Sequence, residues 1–471
     1  MRVLVRLVFA AVVCSASYLL AQSPDTPAKT MPPEMPAQVA PALPASPQPA
    51  IVKRPGQIVV PDSSIVRAED AGLRMHTNVE IFVPAGRPLS SIIPDDTFAE
   101  TPASLGCVYR VGPIYNNGCT PSGGGTNHPT GGWGAIALVD AFDNPHAASD
   151  LATFSSHYGL PAAQFRKIYA NSSYGNLHGF TASCSGTPAG NTGWGLEEDL
   201  DIEYAHAMSP SAKILLVEAC SNSDGDLFFA ELVAGLEVTS RGGGDISNSW
   251  GGGEFPAEVG TGADYNFFYW NWDKIVYFAS AGDDGWGAQY PSSSPWVVSA
   301  GGTTINRDSS QNFVSESCWS GSGGGVSAYE IWLNPPSLSN GMGPWANFQY
   351  AFAGQAARQT PDISFDADPN SGANVYDSYG YTGWLVVGGT SLASPALAGI
   401  VNASKNLLGQ GPEGTDFYTT MENNLIYAQM NSHLAYPNNF YDVTTGNNGV
   451  AAGTGYDQCT GVGSVRGHLG K

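Results

Sequence analysis

The run Gly388-Gly389-Thr390-Ser391-Leu392-Ala393-Ser394-Pro395 follows an apolar stretch, Trp384-Leu385-Val386-Val387, and precedes an Ala-rich segment. Glycines permit a tight turn here. A serine at the start of a helix meets the positive end of the helix dipole and backbone N–H groups able to hold an oxyanion. Ser391 is therefore a candidate nucleophile, an ordinary N-capping serine being the plain alternative. Pro395 suits a helix that begins near residue 394, because first-turn N–H groups have no partner to lose. A serine nucleophile needs a base. None of the eight histidines stands in a His-Gly-Thr context, and His178-Gly179-Phe180 is a poor imitation. Carboxylates are the alternative. In Trp194-Gly195-Leu196-Glu197-Glu198-Asp199-Leu200-Asp201-Ile202-Glu203-Tyr204-Ala205-His206-Ala207, Glu197 and Asp201 are four apart and share a helix face. Leu200, Tyr204 and Ala207 mark a neighbouring apolar face, so the pair leans inward. A solvated acidic helix start is the competing reading, since the dipole favours acids there.

The elements that must position these residues show in the hydrophobic pattern. Ile136-Ala137-Leu138-Val139 precedes a helical pattern over 147–157, and Lys213-Ile214-Leu215-Leu216-Val217 precedes another over 226–239. Ile275-Val276-Tyr277-Phe278 and Trp296-Val297-Val298 are further apolar runs, and a helix is expected over 394–407. Short apolar runs separated by helices predict an α/β fold, with a doubly wound, mostly parallel sheet buried on both faces and flanked by helices. Chemistry in such sheets sits at the carboxyl ends of the strands.

Composition narrows the class. The 471 residues carry 19 Lys+Arg against 41 Asp+Glu, a net charge of −22, with 58 glycines and 33 prolines. No basic face is available for phosphates, so nucleic acid and anionic membranes are excluded as partners. Arg2 and Arg6 ahead of an apolar run ending at Ala21 describe a secretory signal peptide over residues 1–21, shorter than a membrane span. The exported protein is expected to be extracellular, without a membrane anchor, and a monomer. Residues 22–61 are rich in Pro and Ala and read as an extended linker. Residues 62–103, with a strand-like Val79-Glu80-Ile81-Phe82-Val83, read as a short pro-region or N-terminal extension, and residues 104–471 as the main domain. Six cysteines remain beyond Cys14: Cys107, Cys119, Cys184, Cys220, Cys318 and Cys459. An even number suits an oxidising compartment. Six cysteines allow 15 pairings; Cys107–Cys119, closing a Gly/Pro loop, is the one local pairing, and Cys184–Cys220 with Cys318–Cys459 is one of the three ways to join the other four.

Together, Glu197-x-x-Leu200-Asp201, Ala281-Gly282-Asp283 and Gly389-Thr390-Ser391-x-x-x-Pro395 resemble the sedolisins, the serine-carboxyl peptidases, in the right order over roughly residues 104–465. The resemblance implies a subtilisin-like fold and a serine-type endopeptidase acting on protein or peptide substrates. It implies Ser391 as nucleophile, Glu197 as base, Asp201 as the residue orienting Glu197, and Asp283 as the oxyanion residue. Asp140, after the first strand, corresponds to a supporting carboxylate. Such a set suits acid, because a histidine base is charged there whereas Glu starts near 4.3. An Asp can donate to an oxyanion only when protonated, so an optimum at about pH 3–5 is expected. Where the family carries Asp-Ser-Gly, this chain has Asp283-Asp284-Gly285, and the extra carboxylate should raise its neighbour's pKa.

The resemblance extends to a calcium loop in Asp442-Val443-Thr444 and Gly453-Thr454-Gly455-Tyr456-Asp457. It implies one structural Ca2+ held by the carboxylates of Asp442 and Asp457 and the carbonyls of Val443, Gly453 and Gly455, an all-oxygen set of the kind calcium prefers. Ser249-Trp250-Gly251-Gly252 resembles a segment that pairs with substrate backbone. Two other readings compete: a subtilisin-type peptidase with a histidine base, lacking its His motif here, and a retired peptide-binding protein on the same scaffold. Retention of Glu197, Asp201, Asp283 and Ser391 together speaks against retirement.

Overall fold

In the strand Ala135–Ala141, Ile136 and Leu138 join one apolar core while Ala135, Ala137 and Val139 join another. In Lys213–Ala219, Ile214 and Leu216 face the first core, and Leu215 and Val217 the second. Successive strand residues point to opposite faces, so this division shows a sheet covered on both sides. The computed structural model describes residues 50–469, except 116–117, 260–261, 270–273, 332–345, 347–348, 352–356, 409–417 and 431. The expected signal peptide at 1–21 and most of the linker lie outside the described residues.

The central sheet runs in the order Phe440–Tyr441, Ser464–Val465, Ile363–Asp366, Val298–Arg307, Ile275–Ser280, Gly244–Asn248, Ala135–Ala141, Lys213–Ala219, Gln164–Ala170. From Ser464–Val465 to Gln164–Ala170 every pairing is parallel. Antiparallel additions are Phe440–Tyr441 at one edge and Phe313–Cys318 against Val298–Arg307. On one face pack the helices Ala147–Tyr158, Thr192–Met208 and Thr390–Leu408; Asp224–Thr239 packs on the other. This is the expected subtilisin-like α/β arrangement. The disulfides Cys107–Cys119, Cys184–Cys220 and Cys318–Cys459 are present, with Cα–Cα distances of 5.5, 5.6 and 6.0 Å. No helix among the described residues is long and apolar enough to cross a membrane.

The N-terminal segment is placed differently from its appearance in sequence. Residues 50–469 fall within one compact unit. Gly56–Val59, inside the expected linker, pairs antiparallel with Glu80–Pro84, which in turn pairs with Gly383–Gly388, the strand leading to Ser391. His76–Thr77 pairs with Trp250–Gly253. Position 104, where the main domain was expected to begin, lies inside the helix Pro102–Val108, capped by Thr101. Nothing local in the sequence marks the pairings of Glu80–Pro84 with Gly383–Gly388 and of His76–Thr77 with Trp250–Gly253, because those partners lie far along the chain.

Candidate active site

The serine helix starts earlier than its sequence pattern suggests, at Thr390 rather than near 394. Pro395 is thus in the second turn, and the Ser391 carbonyl loses its i+4 N–H partner. The Ser249 hydroxyl lies 3.3 Å from that carbonyl and 2.6 Å from Asp201 Oδ1, tying the serine's backbone to the carboxylates. Gly389 makes the turn possible at φ +105°. A Cβ there would lie 2.1 Å from the Asn78 carbonyl oxygen and 2.5 Å from Asp283 Oδ2. These two oxygens therefore border the same small space beside Ser391. The Ser391 N–H donates to the Asn78 carbonyl at 3.1 Å, and its hydroxyl donates to the Ser249 carbonyl at 3.1 Å.

Asp283 is held from the serine turn. The Thr390 N–H and hydroxyl both donate to its Oδ1 at 2.8 Å, leaving Oδ2 buried without a partner. Burial, then the charge of Glu80, pushes its pKa well above the usual carboxylate range, with Asp284 adding in the same direction. Since Oδ1 already accepts two hydrogen bonds, a proton on Asp283 sits on Oδ2, facing the space beside the serine.

Glu197 and Asp201 project from the helix Thr192–Met208, whose N-cap Asn191 accepts from the N–H groups of Gly193 and Trp194. From Trp194 to Met208 this helix is buried, so its acids do not form a solvated helix start. Neither Glu197 oxygen has a hydrogen-bond partner. Its pKa is pushed up by burial and by Asp140, against smaller opposing influences from the Ser391 hydroxyl and the Asn78 backbone. Burial, Asp140 and Glu197 push Asp201 up as well. Asp140, at the carboxyl end of its strand, has two unpartnered oxygens, and burial raises it to about 8. Among the described residues no salt bridge involves any of these four acids. The arrangement keeps protons on carboxyls next to a serine.

Three participants escaped the sequence reading. Ser249 was seen only as part of a possible substrate-pairing segment. Glu80, raised to about 7 by burial and by Asp368 and Asp284, is the largest charge acting on Asp283. Asn78 supplies the carbonyl at the serine. The run Val79-Glu80-Ile81-Phe82-Val83 gave the only hint, that of a strand whose partner could not be read.

The expected calcium residues come together at the C-terminus. Asp442 Oδ1 accepts from the Gly455 N–H at 2.9 Å and from the Tyr436 hydroxyl at 3.1 Å. Asp457 accepts from the N–H groups of Gly453, Cys459 and Thr460 at 2.8–2.9 Å. Both carboxylates thus converge on the 453–457 loop, and Val443 is buried beside them. This hard, all-oxygen donor set fits calcium in chemistry. A second acidic cluster was not expected: Asp150, Asp199 and Asp377 each offer an oxygen within 4.8 Å of the others.

A two-faced parallel sheet, with a serine at the start of one helix and two carboxylates on the helix beside it, defines the subtilisin-like class. Residues 139–441 match the model of the subtilase family, and the chain belongs to that family. Its relatives bear out the sedolisin resemblance. Kumamolisin of Bacillus sp. (strain MN-32) is 29% identical over 360 residues, 70% of this chain and 58% of kumamolisin. Sedolisin of Pseudomonas sp. (strain 101) is 33% identical over 195 residues, 37% of this chain and 28% of that protein. The chain thus spans less than two thirds of the length of these relatives. The solved Pseudomonas sedolisin, a serine-carboxyl proteinase complexed with two molecules of pseudo-iodotyrostatin, shares the fold at a TM-score of 0.57 and 24% identity. That likeness covers 79% of this chain and 96% of the sedolisin chain.

Proposed function

We propose that this protein is an exported serine-carboxyl peptidase that cuts peptide bonds in acid, through an acyl-enzyme on Ser391. The observation that carries this reading is the shared space bordered by the Ser391 N–H, the unpartnered Asp283 Oδ2 and a backbone carbonyl. A substrate carbonyl placed there accepts from the Ser391 N–H and from protonated Asp283, the two donors an oxyanion needs. Ser391 exchanges its bond to the Ser249 carbonyl for one to Glu197, which takes the proton during attack and returns it to the leaving amine. Two coupled carboxyls share a proton, so Asp201 keeps one while Glu197 accepts. Asp201 is a positioning residue, fixed through Ser249. Asp140 raises both and keeps the site in its acid form.

Loss of acidity switches off Asp283, because an ionised carboxylate repels the oxyanion it should stabilise. A single Ca2+ at Asp442, Val443, Gly453, Gly455 and Asp457 would pin the C-terminal loop and takes no part in bond cleavage. Export is supported by the three disulfides, which form in oxidising compartments.

The test is hydrolysis of a denatured protein across pH 2–9 by the wild type, Ser391→Ala and Glu197→Gln. Cleavage confined to acid, with both variants dead, is expected. A Glu197→Gln variant active at neutral pH would mean that another base operates. An optimum near pH 8 would overturn the acid reading.

A further inference from the structure

The helix Thr192–Met208 carries two pairs of acids four residues apart. Glu197 and Asp201 belong to the serine's side; Asp199 and Glu203, offset from them by two residues, lie on the opposite side of the helix. There Asp199 meets Asp150 of the helix Ala147–Tyr158 and Asp377, the last residue of the strand Ala373–Asp377. Each of the three offers an oxygen within 4.8 Å of the others, and none is more than 1% exposed.

Two of these carboxylates are fixed by donors. Asp377 Oδ1 accepts from the N–H groups of Tyr379, Gly380 and Tyr381 at 2.7–3.2 Å, while its Oδ2 has no partner. Asp150 accepts from the N–H and hydroxyl of Ser378 at 2.7–3.1 Å. Neither Asp199 oxygen has any partner, although the side chain is fully buried. Glu203, also fully buried, adds a fourth acid: its Oε2 accepts from the Tyr376 N–H at 3.1 Å, and its Oε1 has no partner. Burial and the charge of Asp199 push Glu203 up, with Asp150 and Asp377 adding to it, so it stands beside all three. Among the described residues no salt bridge involves any of the four, and His146 meets the Ser378 hydroxyl rather than a carboxylate. Donors thus favour the charged form of two carboxylates, while bare buried oxygens of Asp199, Asp377 and Glu203 converge between them.

We propose that Asp150, Asp199, Asp377 and Glu203 hold one calcium ion, at a site separate from the C-terminal loop. Hard carboxylate oxygens select a divalent cation of this kind. Two oxygens on one calcium ion lie at most about 5 Å apart, so the observed spacing fits it without movement. Magnesium demands a strict octahedron and keeps several of its waters, which suits a set of buried carboxylates less well. The turn 378–382 supplies the donors and is half-buried to exposed, which gives the ion a way in. Once held, the ion ties the helix that carries Glu197 to the helix Ala147–Tyr158 and to the strand Ala373–Asp377. That strand pairs with Gly383–Gly388, which leads to Ser391, so one ion braces both supports of the candidate active site from behind.

The experiment is equilibrium dialysis of the full chain, first stripped with chelator, against calcium at about pH 7. Thermal unfolding with and without calcium accompanies it. Wild type should bind two ions per chain, Asp199→Asn one and Asp457→Asn one. Asp199→Asn should also gain fewer degrees from added calcium than wild type does. Asp377→Asn keeps an oxygen for the three N–H donors but loses the charge, and should weaken the new site by about tenfold or more. It decides the matter if Asp199→Asn does not fold. Should both variants bind calcium as wild type does, or should magnesium bind at this site as tightly as calcium, the inference falls. Wild type with a single ion, lost in Asp457→Asn and kept in Asp199→Asn, also overturns it, the four acids then being held by protons. A single ion lost in Asp199→Asn and kept in Asp457→Asn would sustain it and remove the ion from the C-terminal loop.

Discussion

Two sets of buried acids in this protein are treated in opposite ways. Asp362 and Glu100 each receive an arginine. Arg358 reaches both Asp362 oxygens at 2.5 Å, joined by the Tyr427 hydroxyl and the Ser299 N–H, and Arg307 reaches both Glu100 oxygens at 2.7 Å. Glu197, Asp201, Asp140 and Asp283 receive no cation, and each has at least one oxygen without any partner. A buried charge with a two-point partner is satisfied and serves the fold. A buried carboxyl without one holds its proton instead, which leaves an acid that can give or take a proton near its working pH. The helix Thr192–Met208 lies on the second side of this divide. Its acids weaken the fold where their protons are lost, and in the proposed mechanism two of them, Glu197 and Asp201, serve the chemistry.

This contrast can be broken most sharply at the serine. Ser391→Ala, and in the same way Glu197→Gln, should lower kcat by about 10^4–10^6-fold, with a melting temperature within about 2 °C of wild type. Kinetics and calorimetry on the same samples decide it, and a large loss of stability in either variant would make these residues structural. The opposite pattern is expected at the paired acids. Asp362→Asn leaves Arg358 buried and uncompensated, at a cost of about 3–5 kcal/mol, read as a lowered denaturation midpoint. Residual folded Asp362→Asn should keep its acid optimum.

Stability against pH tests the acids that lack a cation as a group, Glu231 on the helix Asp224–Thr239 among them. Burial raises Asp140 and Glu231 to about 8 and Glu80 to about 7. These folded values lie above those of the unfolded chain, so the stabilisation is complete below about pH 4 and is lost as pH rises through about 7–8. The melting temperature should therefore fall by on the order of 5–10 °C from pH 4 to pH 8. A curve that rises over that interval would show these carboxyls to be ionised in the fold. Chelation should act more mildly, lowering the melting temperature by several degrees if calcium is held at Asp442 and Asp457. An unchanged value in chelator would remove the ion from the account. The smallest effect is expected from Asp284→Ser. Asp284 is only a minor influence on Asp283, behind burial and Glu80, so the alkaline limb of activity should move to lower pH by less than about one unit.

Much of the site was legible because its signals are local. The turn at Gly389 needs a residue free of Cβ, and the i, i+4 spacing of Glu197 and Asp201 fixes a shared helix face, so both could be read from a few adjacent residues. One short loop singled out Cys107–Cys119, but the pairing of the other four cysteines took the fold to decide. The helix start at Thr390 was misjudged because Pro395 reads as a first-turn residue, whereas the Ser249 hydroxyl, 142 residues away, lies within reach of the carbonyl that the proline leaves open. The role of residues 50–103 was hidden for a similar reason. A short strand such as Glu80–Pro84 carries its pattern in sequence but not the identity of its partner, and Phe82 meets Val386.

The sequence by itself determined the shared helix face of Glu197 and Asp201, the glycine turn ahead of Ser391 and the two-faced sheet, since these depend on residue type, short spacing and apolar periodicity. Only the tertiary structure decided which acids would be paired and which left protonated, because a pKa depends on burial and on charges brought close from elsewhere in the chain. It also decided that Asn78, far from Ser391 in sequence, would place its carbonyl at the serine. Backbone pairing over such distances is set by the packing of the whole sheet rather than by any residue in the segment itself.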